Sequence, residues 1–142
     1  MEAAYNTLKI INEFEHAAIY LDGVSQSVII RSKSTYIPIE EFQKIFNFAE
    51  TLIKEHKINK TIFDKRSLKV FHQPSMQWYF TEWKERLFGL GIKKHIKILP
   101  DDFVFKSSVK IGRDKIDQLF PNALYHQTSI VYAENLAEAL KI

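Results

Sequence analysis

The chain has 142 residues, 46% of them apolar and 26% charged, with a net charge of +3. That length suits one domain able to bury a core without a metal or disulfide staple, and the balance excludes a disordered tail, a coiled-coil rod and a collagen-like chain. No apolar run approaches the roughly 18 residues of a membrane span, and the lack of cysteine excludes a disulfide framework, a thiol nucleophile and a thiolate zinc site.

The N-terminal stretch MEAAYNTLKIINEFE has no basic region followed by an apolar one, which points away from a secretory signal and, with the absence of cysteine, toward a cytoplasmic protein. Charge is uneven along the chain. Residues 1–56 carry five Lys/Arg and eight Asp/Glu, residues 57–115 carry fourteen and six, and residues 116–142 carry one and three. A basic middle can face an anionic partner. Here the lysines are scattered over helices and strands without forming a contiguous stripe, which argues for a solvated face and against nucleic acid.

No repeat or low-complexity segment interrupts the chain, so residues 1–142 read as a single domain. Leu8–Phe14 is an apolar-rich candidate strand. His16–Leu21 and Ser27–Ser32 are β-rich runs joined through Asp22-Gly23, a hairpin signal because both residues tolerate positive φ. Ile39, Phe42, Ile45, Phe46, Ala49, Leu52 and Ile53 recur at helical spacing, with Pro38, Glu40 and Glu41 at the start and Lys54, His56 and Lys57 at the end. A strand around Lys60–Phe63 follows, with a second extended run near Leu68–Phe71. Met76, Tyr79, Phe80, Trp83, Leu87 and Leu90 share one face of a second helix that starts at Pro74-Ser75 and stops at Gly89 or Gly91. IKKHIKILP reads as a strand, DDFVFKSSVKIGRDKIDQLFP as one or two short helices, HQTSIVYA as a strand and ENLAEALKI as a closing helix. The expected fold is α/β: a mixed sheet with an N-terminal antiparallel hairpin, then parallel strands joined by right-handed crossover helices.

Catalytic motifs are missing. Gly89-Leu90-Gly91 precedes a strand, the reverse of a phosphate-binding turn, and no Walker sequence occurs. No two of His16, His56, His72, His95 and His126 are three to five residues apart, so no metal site is predicted, and no cofactor is implied. No G-x-S-x-G elbow is present. Glu82 and Glu85 lie beside Lys84 and Arg86 on what reads as a solvated helix face. One positional argument remains. Ligands in open α/β sheets bind beyond the carboxyl ends of the strands, where Asp64, Arg66 and Asp101 fall. Ser75 opens a helix at the same edge, where free backbone N–H groups attract anions. These four are the candidate ligand or anion residues, against a reading in which Asp64 and Arg66 pair and Ser75 is an N-cap. Trp78, Tyr79 and Trp83, in a chain with eleven Phe, six Tyr and two Trp, are candidates for an interaction surface or an apolar pocket.

The order of elements, with the helix EEFQKIFNFAETLIKEHKINK, the turn FDKRSL, Trp78 and Trp83 in the second helix, GIKKHIKILPDDF and the closing YAENLAEAL, resembles the small STAS-like domains that include anti-sigma-factor antagonists, and most closely a Bacteroidetes-type branch of them. The resemblance implies a non-catalytic regulatory or protein-interaction module with an unknown protein partner, capable of forming a homodimer. In those antagonists a serine at the start of the helix after the central strand is phosphorylated. The matching stretch here is Phe71-His72-Gln73-Pro74-Ser75-Met76, which makes Ser75 the phosphorylation candidate although the Asp, the second Ser and the Gly of that motif are absent. Some relatives hold apolar ligands, so a carrier of a small apolar or lipid-like molecule is the alternative.

Overall fold

A computed structural model describes residues 2–142. A short helix α1 (Ala3–Asn6) leads into β1 (Lys9–Glu13), β2 (Ala17–Asp22) and β3 (Ser27–Ser32). Helix α2 (Ile39–Glu55), strand β4 (Lys60–Asp64), helix α3 (Gln73–Trp78), a π-helical turn (Tyr79–Trp83), helix α4 (Lys84–Gly89) and β5 (Lys94–Ile98) follow. Helix α5 (Phe103–Leu119), a 3-10 turn (Leu124–Gln127), β6 (Ser129–Ala133) and α6 (Leu136–Lys141) complete the chain.

The six strands lie side by side in chain order, with β1–β2–β3 antiparallel and β3 through β6 parallel. The expected α/β class and mixed sheet are present. Each parallel connection moves one strand in the same direction, and right-handed crossovers therefore put their helices on one face. That face carries α2, α3, the π turn and part of α5 over Ile19, Val28, Ile30 and Phe63. The other face is covered only by α1 and α6, over Tyr20, Ile29, Ile62 and Ile96. Covered on both sides, β2 to β5 are almost wholly buried, while the edge strands β1 and β6 are not.

Local chemistry explains most boundaries. Asp22 closes the hairpin by accepting hydrogen bonds from Ser25 N (3.1 Å) and Ser25 Oγ (2.5 Å), and the residue with positive φ is Gln26 (54°) in place of Gly23. Gly91 ends α4 with φ 88°, its N–H bonded to the Phe88 carbonyl and the Ile92 N–H to the Leu87 carbonyl, a Schellman pattern that needs the left-handed residue. Asp102 caps α5 by accepting from Phe105 N at 3.2 Å, and α5 is a single helix of 17 residues where one or two short helices are expected. The run Leu68–Phe71 is loop, since no strand neighbours it, and Leu90 is exposed beyond the last buried turn of α4.

The main core is aromatic. Trp83 stacks on Tyr79 (centroids 5.4 Å), meets Phe46 edge-on (4.9 Å), and donates its indole N–H to the Phe46 carbonyl at 2.7 Å. This ring ties the π turn to α2. Trp83→Ala is expected to destabilise the fold by about 3–5 kcal/mol, measured by urea unfolding. A loss below about 1 kcal/mol would show that the ring does not join the two elements.

Candidate functional site

The strand-end residues Asp64 and Arg66 lie on the face of the sheet covered by α1 and α6. Asp64, 2% exposed, accepts hydrogen bonds from Tyr5 Oη (2.7 Å) and from Arg66 Nε (3.0 Å) and Nη2 (2.7 Å). Arg66 Nη2 also donates to Glu2 Oε2 at 2.5 Å, and Glu2 Oε1 accepts from Leu136 N at 2.8 Å. Arg31 lies over the Tyr5 ring, 3.9 Å from its centroid. Burial and the Asp64 carboxylate push the Tyr5 hydroxyl well above its usual range, and the hydrogen bonds to Asp64 raise the Arg66 guanidinium. These bonds clasp the N-terminal segment and α6 to one face of the sheet. Asp64 and Arg66 are therefore structural and do not gather with the other candidates.

Ser75 is a second correction. It stands inside the first turn of α3, whose cap position is His72, is fully buried, and contacts His72 Nδ1 at 3.1 Å. It offers neither an N-cap nor an accessible hydroxyl for a kinase. Tyr79 and Trp83 belong to the core. Trp78 is half-buried, edge-on to Phe42 at 6.1 Å with Arg86 5.5 Å from its ring centroid. The aromatic excess is thus largely core. Asp101 is exposed and borders an open cleft of about 780 Å³ at the carboxyl ends of β5 and β6, with Leu99, Lys106, Tyr132, Glu134 and Glu138. Glu15, His16 and Glu41 also meet, with His16 Nε2 3.3 Å from Glu41 Oε2 and His16 Nδ1 2.9 Å from Ser34 Oγ. Ion pairing and hydrogen bonding account for those contacts.

The unexplained chemistry lies on the crossover-helix face. Lys65, the residue after β4, lies on the crossover-helix face, its Nζ 5.0 Å from the Phe63 ring centroid. Lys97 of β5 and Lys84, the first residue of α4, reach the same place. All three are 3% exposed or less. Their Nζ atoms lie 5.9, 5.1 and 5.0 Å from the centroid of the Tyr79 ring for Lys65, Lys97 and Lys84 respectively. Lys84 and Lys97 are each 4.6 Å from the Phe80 centroid, and Lys65 is 4.7 Å from that of Phe71. Among the described residues no carboxylate forms an ion pair with any of them. Lys84 Nζ has no hydrogen-bond partner at all, and neither has Nε2 of the buried His95, whose Nδ1 contacts Thr61 Oγ1 at 2.6 Å.

Burial first, then mutual repulsion and Arg113, pushes all three amines well below the usual lysine range. Burial and the neighbouring Lys84 and Lys97 likewise push His95 down to about 2. Lys65 and Lys97 open on a small cavity of about 50 Å³, bounded also by Phe80, Lys106, Lys110, Arg113 and Tyr132. One water needs about 10–15 Å³ of such space. The cavity shares Leu99, Lys106 and Tyr132 with the open cleft. Arg113 Nη1 donates to Tyr132 Oη at 3.1 Å, and α5 is brought close by Gly112, where a Cβ would collide with Gln73 and press on Met76.

The sequence reading misplaces Lys84 on a solvated face. The π turn adds a residue to the helical circuit and widens the inward stripe, so that Tyr79, Phe80, Trp83 and Lys84 all point inward. A legible signal existed for Lys97: in Ile96-Lys97-Ile98, a strand covered on both faces places a lysine inside. No family model, curated protein or solved structure matches the chain.

The cluster sets its own stability test. A lysine whose pKa is depressed by folding binds fewer protons than the unfolded chain, so stability rises with pH toward 10.5. Lys84→Met is expected to stabilise the protein at pH 7 by about 1–4 kcal/mol, with the gain shrinking as pH approaches 10.5. Destabilisation by the methionine would show that Lys84 makes a favourable charged contact. His95 stabilises in its neutral form, a contribution present above pH 6.5 and lost as pH falls toward 2. His95→Gln should reduce the slope of stability against pH below 6.5 by up to about 1.4 kcal/mol per pH unit, read by urea titrations at several pH values.

Proposed function

We propose that this protein is a non-catalytic regulatory module, STAS-like in its order of elements, whose state is set by a small anionic ligand held in the lysine cavity. One observation carries the reading: three buried amines without a counter-ion beside a cavity that Arg113, Lys106 and Lys110 also line. Uncompensated buried amines cost stability, and a ligand that supplies negative charge offsets that cost. Four of the lysines in the basic middle of the chain are buried, and Lys65 and Lys97 among them border the cavity, so the basic excess serves a cavity better than it serves a nucleic-acid surface.

Helix α5 offers a route from ligand to partner. Lys106, Lys110 and Arg113 border the cavity, while Val104, Ile111 and Leu119 recur on another side of the helix and are exposed. A ligand that draws the charged side inward turns the apolar side, and a protein partner would read that change.

Inorganic phosphate and succinate, added to extensively dialysed protein, should raise the melting temperature in a saturable way. At a ligand concentration of 100 times Kd the gain is about 2.7 kcal/mol. Arg113→Gln should remove most of it. Calorimetry in two buffers should show proton uptake on binding, because an anion favours the ammonium form. An equal rise with chloride at matched ionic strength, or a rise unaffected by Arg113→Gln, would overturn the reading.

A further inference from the structure

We infer that the cavity captures an oxo acid, a small molecule bearing both a carbonyl and a carboxylate, by reversible imine formation at Lys97. The inference rests on the anion-binding reading and narrows the ligand class. Two sets of nitrogen border one small space. Lys106, Lys110 and Arg113 stand on α5, Lys106 also lining the open cleft, and suit a carboxylate. Lys65 and Lys97 line the same cavity from the sheet side, among the rings of Phe63, Phe71, Tyr79 and Phe80. Burial among aromatic rings and beside other amines favours the neutral form of an amine, whose lone pair is a nucleophile.

Lys97 is the member best placed to react. It borders the cavity, which Lys84 does not, and it lies within a strand, whereas Lys65 follows the end of β4. Its position within β5 fixes its backbone in the middle of a parallel ladder between β4 and β6. Lys84 Nζ, with no partner of its own, is free to take and return a proton. The π turn that brings Tyr79 and Lys84 inward is a distortion of a kind frequent at functional sites.

The chemistry balances without any further reagent. The Nζ lone pair attacks the carbonyl carbon, and a proton passes from nitrogen to the carbonyl oxygen to give a carbinolamine. The second nitrogen-bound hydrogen and the hydroxyl then leave as water. One C=N bond replaces one C=O bond, and nothing is oxidised or reduced. Addition of water reverses the sequence and releases the ligand.

Glyoxylate, the smallest oxo acid with an aldehyde, is the probe, and glycolate, which lacks the carbonyl, is the control. The full-length protein is incubated with glyoxylate and cyanoborohydride at pH 6.5, and the adduct is mapped by peptide mass spectrometry. At that pH an exposed lysine is neutral in about one molecule in 10⁴, so background labelling is slow. The expected result is one carboxymethyl group per chain, located on Lys97 and formed roughly 100-fold faster than on any exposed lysine. Lys97→Met, an apolar replacement that should fold, loses the adduct while its other lysines keep the background rate. Arg113→Gln slows labelling at Lys97. Melting shifts with both glyoxylate and glycolate but no preferred labelling of Lys97 would overturn the imine and leave anion binding standing. Absence of a melting shift with either acid, together with uniform slow labelling, would overturn both. Preferred labelling at Lys65 would overturn the assignment to Lys97.

Discussion

The cost of enclosing three amines among aromatic rings, with no carboxylate to meet them, is the constraint on which the rest of the site depends. Taking an ammonium out of water costs several kcal/mol even after relaxation, and a ring face returns about 0.5–2 kcal/mol per contact. The balance favours the neutral amine, and burial accordingly pushes all three lysines well below their usual range. The cluster holds because the elements around it are fixed: Trp83 binds the Phe46 carbonyl, the π turn sets Tyr79, and Gly112 lets α5 approach α3 closely enough to present Arg113.

The two faces of the sheet divide the work. Asp64, Lys65 and Arg66 are consecutive, yet they serve different ends: Asp64 closes β4, and the two residues after it go to opposite sides of the sheet. Asp64 and Arg66 join Tyr5 and Glu2 and hold both termini of the described chain against one face. Lys65 enters the aromatic core on the other. An ion-pair network and a group of buried amines without a counter-ion are thus one residue apart.

The architecture explains why the site lies beneath the crossover helices. Strands that follow one another in chain order leave no point where the winding reverses, hence no crevice between two halves of the sheet. The opening lies instead where β6, an edge strand, is incompletely covered by α5, leaving Tyr132 half exposed beside the cleft. The cleft is mixed in charge, with Lys106 next to the small cavity and Asp101, Glu134 and Glu138 around it. A ligand with a negative head and a polar body that donates hydrogen bonds fits that arrangement.

The sequence by itself determined the elements. Periodic apolar residues define α2 and the second helical segment, the Asp22 turn defines the hairpin, and strands alternating with helices define a mixed sheet with parallel later strands, because local hydrogen bonding and side-chain periodicity act over a few residues. The aromatic stripe of Met76, Tyr79, Phe80 and Trp83 was legible as core for the same reason. Tertiary structure alone decided the site. Whether Lys65, Lys84 and Lys97 meet depends on strand parity, on a π turn that shifts the inward face of a helix, and on the side of the sheet chosen by crossover handedness. Each of these is set by packing between segments far apart in the chain. A lysine reads as solvated in any local window, and only the enclosing rings make it a buried amine.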